Sequence, residues 1–99
     1  MMKGKFYSHY AKCEVMQISK RKARSLWDDG VQLYLHPCNM SFDDARQRPV
    51  LVGQHNFDCL GFTFDRIVDY NESLICDISR GRYLHYYVKT SLLVLTDKN

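Results

Sequence analysis

The sequence predicts an α+β fold: a single two-layer domain in which two short helices pack on a mostly antiparallel sheet of four to five strands. Three observations predict it. Apolar and polar residues alternate with a period of two over residues 10–18, 31–36 and 83–89, the signature of half-buried strands. Between these stretches lie two segments with apolar residues at i, i+3 and i+4, each opened by a helix-start residue. The chain has 99 residues, 45% hydrophobic and 25% charged, which excludes a disordered chain and leaves no room for a second core.

Residues 1–6 read as a loose basic arm. From Tyr10 to Ile18, Ala11, Cys13 and Val15 alternate with Lys12 and Glu14, giving a first strand. Ser19 suits an N-cap, because its hydroxyl accepts from an otherwise unpaired helix amide. Ala23, Leu26 and Trp27 form a narrow apolar stripe, and Gly30 suits the left-handed position that ends a helix, so residues 19–29 read as the first helix. Val31, Leu33 and Leu35 alternate with Gln32, Tyr34 and His36 in a second strand that Pro37 stops. Residues 38–49 are polar and turn-rich and form the longest loop. Val50 to Val52 is a short strand ended by Gly53.

Thr63 caps the second helix, with Phe62 and Ile67 at the positions of a hydrophobic staple and Asp65 complementing the dipole. Phe64, Ile67, Val68 and Asn71 make its inner stripe, which carries the helix to about Ser73, with Leu74 and Ile75 beyond. Residues 79–82 are a turn. Tyr83 to Lys89 is an aromatic strand. Leu92 to Leu95 either continues it after a bend or returns as a hairpin, and residues 97–99 are a tail. The order strand, helix, strand, strand, helix, strand fits a βαββαβ, ferredoxin-like arrangement, and fits another strand order built from the same elements equally well.

The functional reading starts from a reversed charge pattern. Lys20, Arg21, Lys22 and Arg24 open the first helix and Asp28 and Asp29 close it. Each of these charges opposes the helix dipole, at roughly 0.3–1 kcal/mol apiece in low salt. A phosphate at that N-terminus would reverse the balance, since free amides, the dipole and the basic side chains all favour it. The competing reading is a solvated helix end whose mispaired charges cost little. A second basic cluster, Arg80, Gly81 and Arg82, precedes Tyr83 and is a poor match to the stacking strand of an RNA-recognition module. The position after the glycine is Arg82 rather than an aromatic, and the strand follows the second helix. Alternation puts Leu84, Tyr86 and Val88 in the core, and Tyr83 and Tyr87 on the surface, free to stack on bases or anchor a partner. The competing reading is aromatics packed on a small sheet.

No catalytic motif or cofactor site is expected. His36, Cys38, His55 and Cys59 match no zinc spacing, so no metal is expected. Cys38 lies near His36, but Pro37 separates them. Asp43 and Asp44 beside Arg46 and Arg48 read as a charge cluster. The four cysteines include no Cys-x-x-Cys pair, and without a secretory signal they read as reduced thiols. The longest apolar run, Leu92 to Leu95, is far short of the ~20 residues that span a bilayer. No membrane contact is expected, and the cytoplasm is the expected location. A net charge of +3 permits a polyanionic partner without demanding one.

The residues from Ser19 to Arg24, Gly30, the run Tyr34-Leu35 with Pro37 to Met40, Phe64-Asp65, Tyr70-Asn71, Arg80 to Tyr83 and Tyr86 to Val88 carry a resemblance. Over residues 16–89 the chain resembles a loose group of short bacterial proteins found in gut bacteria and often on phages, plasmids or other mobile elements. The chain departs from them in its Cys59–Thr63 lead into the second helix and its apolar C-terminal segment. The group has no established activity, so the resemblance implies only a small cytoplasmic accessory protein with a connection to mobile elements. The resulting expectation is a non-enzymatic protein with two readings. In the first it binds nucleic acid weakly through Lys20, Arg21, Lys22, Arg24, Arg80, Arg82 and Tyr83. In the second it binds a protein partner or a second copy of itself through exposed aromatics and a C-terminal edge strand.

Overall fold

Five strands form one sheet: β1 (Lys5–Ser8), β2 (Cys13–Ile18), β3 (Leu33–Pro37), β4 (Val50–Val52) and β5 (Leu84–Lys89). This is a computed structural model, and it describes residues 4–96. The strand order is β1-β2-β5-β3-β4, and every neighbouring pair is antiparallel. Three helices, α1 (Lys20–Asp28), α2 (Phe64–Ser79) and α3 (Thr90–Thr96), accompany it, with a short 3-10 turn at Phe57–Cys59. The fold is α+β in two layers, as the sequence predicts.

The strand order departs from a ferredoxin-like sheet. There the first and third strands of the βαββαβ unit are central. Here the second and fourth, β3 and β5, are central, and the antiparallel pairings make β2 parallel to β3 with β5 between them. Burial explains the choice. All five residues of β3 are buried, and Leu84, Tyr86, Tyr87 and Val88 of β5 are buried on both faces, so both strands need neighbours on each side.

Local chemistry explains the helix ends. The Ser19 side chain accepts from the Lys22 amide at 3.1 Å. At the other end of α1, Gly30 takes φ +82°, its N–H donates to the Trp27 carbonyl and the Val31 N–H to that of Leu26. These are the two bonds of a Schellman cap. Thr63 caps α2 by accepting from the Arg66 amide. The helix runs on to Ser79, past the expected end near Ser73, and stops at Arg80 in the left-handed region.

Ala23, Leu26 and Trp27 of α1, with Phe64, Ile67, Val68 and Ile75 of α2, pack on Leu33, Leu35, Val52, Leu84, Tyr86 and Val88 of the sheet. Leu93 of α3 joins this core, where the chain was expected to form a strand. Among the described residues there is therefore no C-terminal edge strand; α3 packs on β2 and β5, and the edges of the sheet are β1 and β4.

The opposite face of the sheet is buried as well. Contrary to the expectation that the chain has no room for a second core, Val15, Tyr34 and Tyr87 meet Phe42 of the 38–49 loop in one on this face, flanked by Phe6, Ala11 and Cys13. The loop lies across the sheet as a strap. Tyr87, expected at the surface, is 5% exposed because Phe42 covers it at a ring distance of 4.8 Å. Lys5 and Phe6, expected in a loose arm, belong to β1, which pairs with β2. The strap holds that hairpin: the Asp43 carboxylate accepts from the Ser8 hydroxyl at 2.6 Å and from the His9 amide at 2.8 Å. The expected tail, residues 97–99, lies outside the described residues, as does the start of the expected arm.

Candidate functional site

Among the described residues two grooves flank α2, and the first of them takes two of the candidate residues. The first lies where β2 ends and α1 begins. Strand β2 pairs with β5 only from Tyr86 onward, so Tyr83, Leu84 and His85 extend past it. Gln17, Ser19, Lys20, Glu72, Tyr83 and His85 are among the residues lining an open groove of about 410 Å³ there. The structure thus brings Lys20 and Tyr83 to one place. Arg24 goes elsewhere: its guanidinium pairs with Asp65 at 2.8 Å and lies over the Phe64 ring. Donating a hydrogen bond to Asp65 raises the pKa of Arg24, and accepting it lowers that of Asp65. This pair joins the middle of α1 to the start of α2, so one of the reversed charges has a structural partner. Arg21, Arg80 and Arg82 are exposed and Lys22 is half-buried; none of the four lines the groove. Glu72 adds a carboxylate to the groove, which weakens its attraction for anions.

The titratable groups of the strap side serve the fold. Asp44 is bound by Arg46 through two side-chain hydrogen bonds of 2.7 and 3.0 Å, which lower its pKa to about 2. Arg48 lies over the Tyr10 ring. Burial would raise Asp43, but bonds from Ser8, His9 and Tyr10 outweigh it and leave the carboxyl below its ordinary value. Burial pushes the thiols of Cys59 and Cys76 up, away from thiolate chemistry. Among the described residues no three His, Cys, Asp or Glu side chains are grouped to hold a metal ion. No helix among them is long and apolar enough to cross a membrane.

His36 and His85 face each other across β3 and β5. His36 is fully buried, and its Nε2 lies 2.7 Å from the Gln47 carbonyl. A carbonyl only accepts, so Nε2 carries the proton and donates. Nδ1 is then an acceptor, and it has no partner among the described residues. Burial, and then the neighbouring His36, lower the pKa of His85. Folded His85 takes up its proton at lower pH than unfolded His85. The unfolded state therefore binds more protons once the pH falls below about 6.5, and stability drops with pH in that window. Urea midpoints are expected to fall between neutral pH and mildly acidic pH, and to fall less in His85→Gln. An unchanged slope in the variant would remove His85 from the account.

The second groove lies between β4 and α2. Val50, Val52, Cys59, Phe62, Ile67 and Tyr70 are among the residues lining its cavity of about 530 Å³. Beyond it, Leu74 and Ile78 follow Tyr70 at i+4 and i+8 and so lie on one face of α2. Tyr70 is 66% exposed and Ile78 69%. Phe57, Leu60 and Phe62 on the approach to α2 are exposed too. Sequence reasoning missed this face because it ended the helix at Ser73. Carrying the 3.6-residue period on to Ser79 shows more apolar residues than one buried stripe can use. Neither a family model nor a curated protein nor a solved structure matches the chain.

Proposed function

We propose that the protein is a small non-enzymatic interaction module that binds a protein partner through the apolar face of α2. The observation that carries this reading is the exposed row Phe62, Tyr70, Leu74 and Ile78 beside the β4 groove. Contiguous exposed apolar surface of this kind marks association sites in soluble proteins. The engagement of Asp43, Asp44, Arg46 and the buried thiols in structural roles supports binding rather than catalysis. Leu74 is already 47% exposed, so Leu74→Asp is expected to leave the far-ultraviolet circular dichroism unchanged. The same change is expected to abolish chemical crosslinking of the protein to itself or to lysate proteins. Crosslinking equal to that of the parent would remove the face from the reading.

A second reading keeps the basic groove. Lys20 and Tyr83 line it together, so a phosphate beside Lys20 would place a base within reach of an aromatic ring. In this reading the protein is a bacterial accessory factor that binds nucleic acid weakly. A labelled single strand is expected to bind in low salt and to be released steeply as salt rises. Lys20→Ala with Arg21→Ala is expected to weaken binding and flatten that salt slope. No binding by the parent in low salt would end this reading.

A further inference from the structure

We infer that the partner of the α2 face is a second copy of this chain, with the two α2 helices antiparallel about a two-fold axis level with residues 71 and 72. The inference rests on the interaction-module reading above. Charge complementarity points to it. Arg66 and Asp77 are eleven residues apart, close to three full turns, so they share one flank of the helix beside the row Tyr70, Leu74 and Ile78. Both are exposed, and among the described residues neither forms an ion pair within the chain. An axis at residues 71 and 72 sets Arg66 against the partner's Asp77, and Tyr70 within one turn of the partner's Leu74. Two-fold symmetry then makes each contact twice. One helix thus carries both halves of a self-complementary surface.

The area agrees. Phe62 and Tyr70 are 50% and 66% exposed. With roughly 150–250 Å² for a whole aromatic side chain, these and the exposed Leu74 and Ile78 offer on the order of 400–500 Å² of apolar surface, and just over half of an interface is apolar. A standard interface takes about 800 Å² from each partner. An extended peptide added to the edge of β4 is the rival occupant, and the edge suits it poorly. Strand β4 has three residues, and the residue before it, Pro49, has no N–H to donate. An exposed helix row has no such limit.

The test is the mass of the protein in solution, by sedimentation or light scattering, from low micromolar to near-millimolar concentration. The expected result is twice the chain mass, with Leu74→Asp weakening association at least about 100-fold. Arg66→Asp and Asp77→Arg each place like charges across the axis and are expected to weaken it about tenfold or more. The double variant restores opposite charges and is expected to return to within about threefold of the parent. A single-chain mass at every concentration overturns the inference, as does a dimer that ignores Leu74→Asp or is not rescued by the double charge exchange. A monomer that still retains a lysate protein through Leu74 overturns the second copy and leaves the module reading standing. A monomer that retains nothing removes both.

Discussion

Replacing Phe42 by alanine is expected to lower stability by about 3–5 kcal/mol, the range for removing a buried phenylalanine. Loops seldom carry such weight, and the reason lies in what this ring touches. Phe42 is 4% exposed and meets Phe6, Tyr34 and Tyr87 at ring distances of 5.6, 5.4 and 4.8 Å, in edge-to-face arrangements. It also lies 5.9 Å from His36. Without it the strap loses its anchor, and Tyr34, His36 and Tyr87 face water on the side that Phe42 now seals. A domain of this size has about 5–15 kcal/mol in total, so the loss is a large part of the whole. Urea denaturation followed through the single tryptophan, which lies on the far side of the sheet, checks it. A loss under about 1 kcal/mol would mean that the strap is mere covering, and the second core would then contribute little.

Trp27→Ala is expected to cost a similar amount, again about 3–5 kcal/mol, from the opposite face. Trp27 is 5% exposed and packs edge-to-face on Phe64 at 5.8 Å, and Phe64 in turn lies 6.2 Å from Tyr86. One ring thus ties α1 to α2, and through Phe64 to the central strand. The Trp27 carbonyl accepts from the Gln54 side chain at 2.7 Å, so the end of α1 is fastened to the loop after β4 as well. Trp27→Phe keeps a ring in the pocket and is expected to recover most of the loss. Thermal unfolding followed by circular dichroism separates the two. Equal losses in both variants would show that the indole makes contacts that a smaller ring cannot.

What could be read from the sequence was local chemistry. Ser19, Gly30 and Thr63 act within three residues of themselves, so the capping pattern reports the helix ends directly. Leu33, Leu35, Leu84, Tyr86 and Val88 lie on the expected core face because alternation needs no knowledge of the partner strand. The early end expected for α2 near Ser73 is a local misreading, since the helical period runs on to Ser79; most of the others depend on distant contacts. The apolar run from Leu92 to Leu95 has the length of a strand, but leucine is a good helix former, and docking on β2 and β5 lets the segment close as α3. Lys5 to Ser8 carries little apolar signal, and its strand exists because β2 pairs with it and Asp43 of the strap holds Ser8. Tyr87 was assigned to the surface because nothing in its own strand announces Phe42. For the candidate site, the meeting of Lys20 with Tyr83 and the pairing of Arg24 with Asp65 are both matters of strand order, which no local pattern encodes.

The position of β5 also has a bearing on how the chain is made. A ribosome releases β1, β2, β3 and β4 first, and these can form two hairpins, β1 with β2 and β3 with β4. The hairpins do not touch edge to edge, because the place between them belongs to residues 84–89. Until those residues emerge, the inner edges of β2 and β3 stay bare, and Val15, Leu33 and Leu35 lack the neighbour that buries them. Assembly is therefore postponed and then abrupt: one late segment joins two waiting halves. The distant pairings slow the search, and the nascent chain exposes sticky edges throughout the wait.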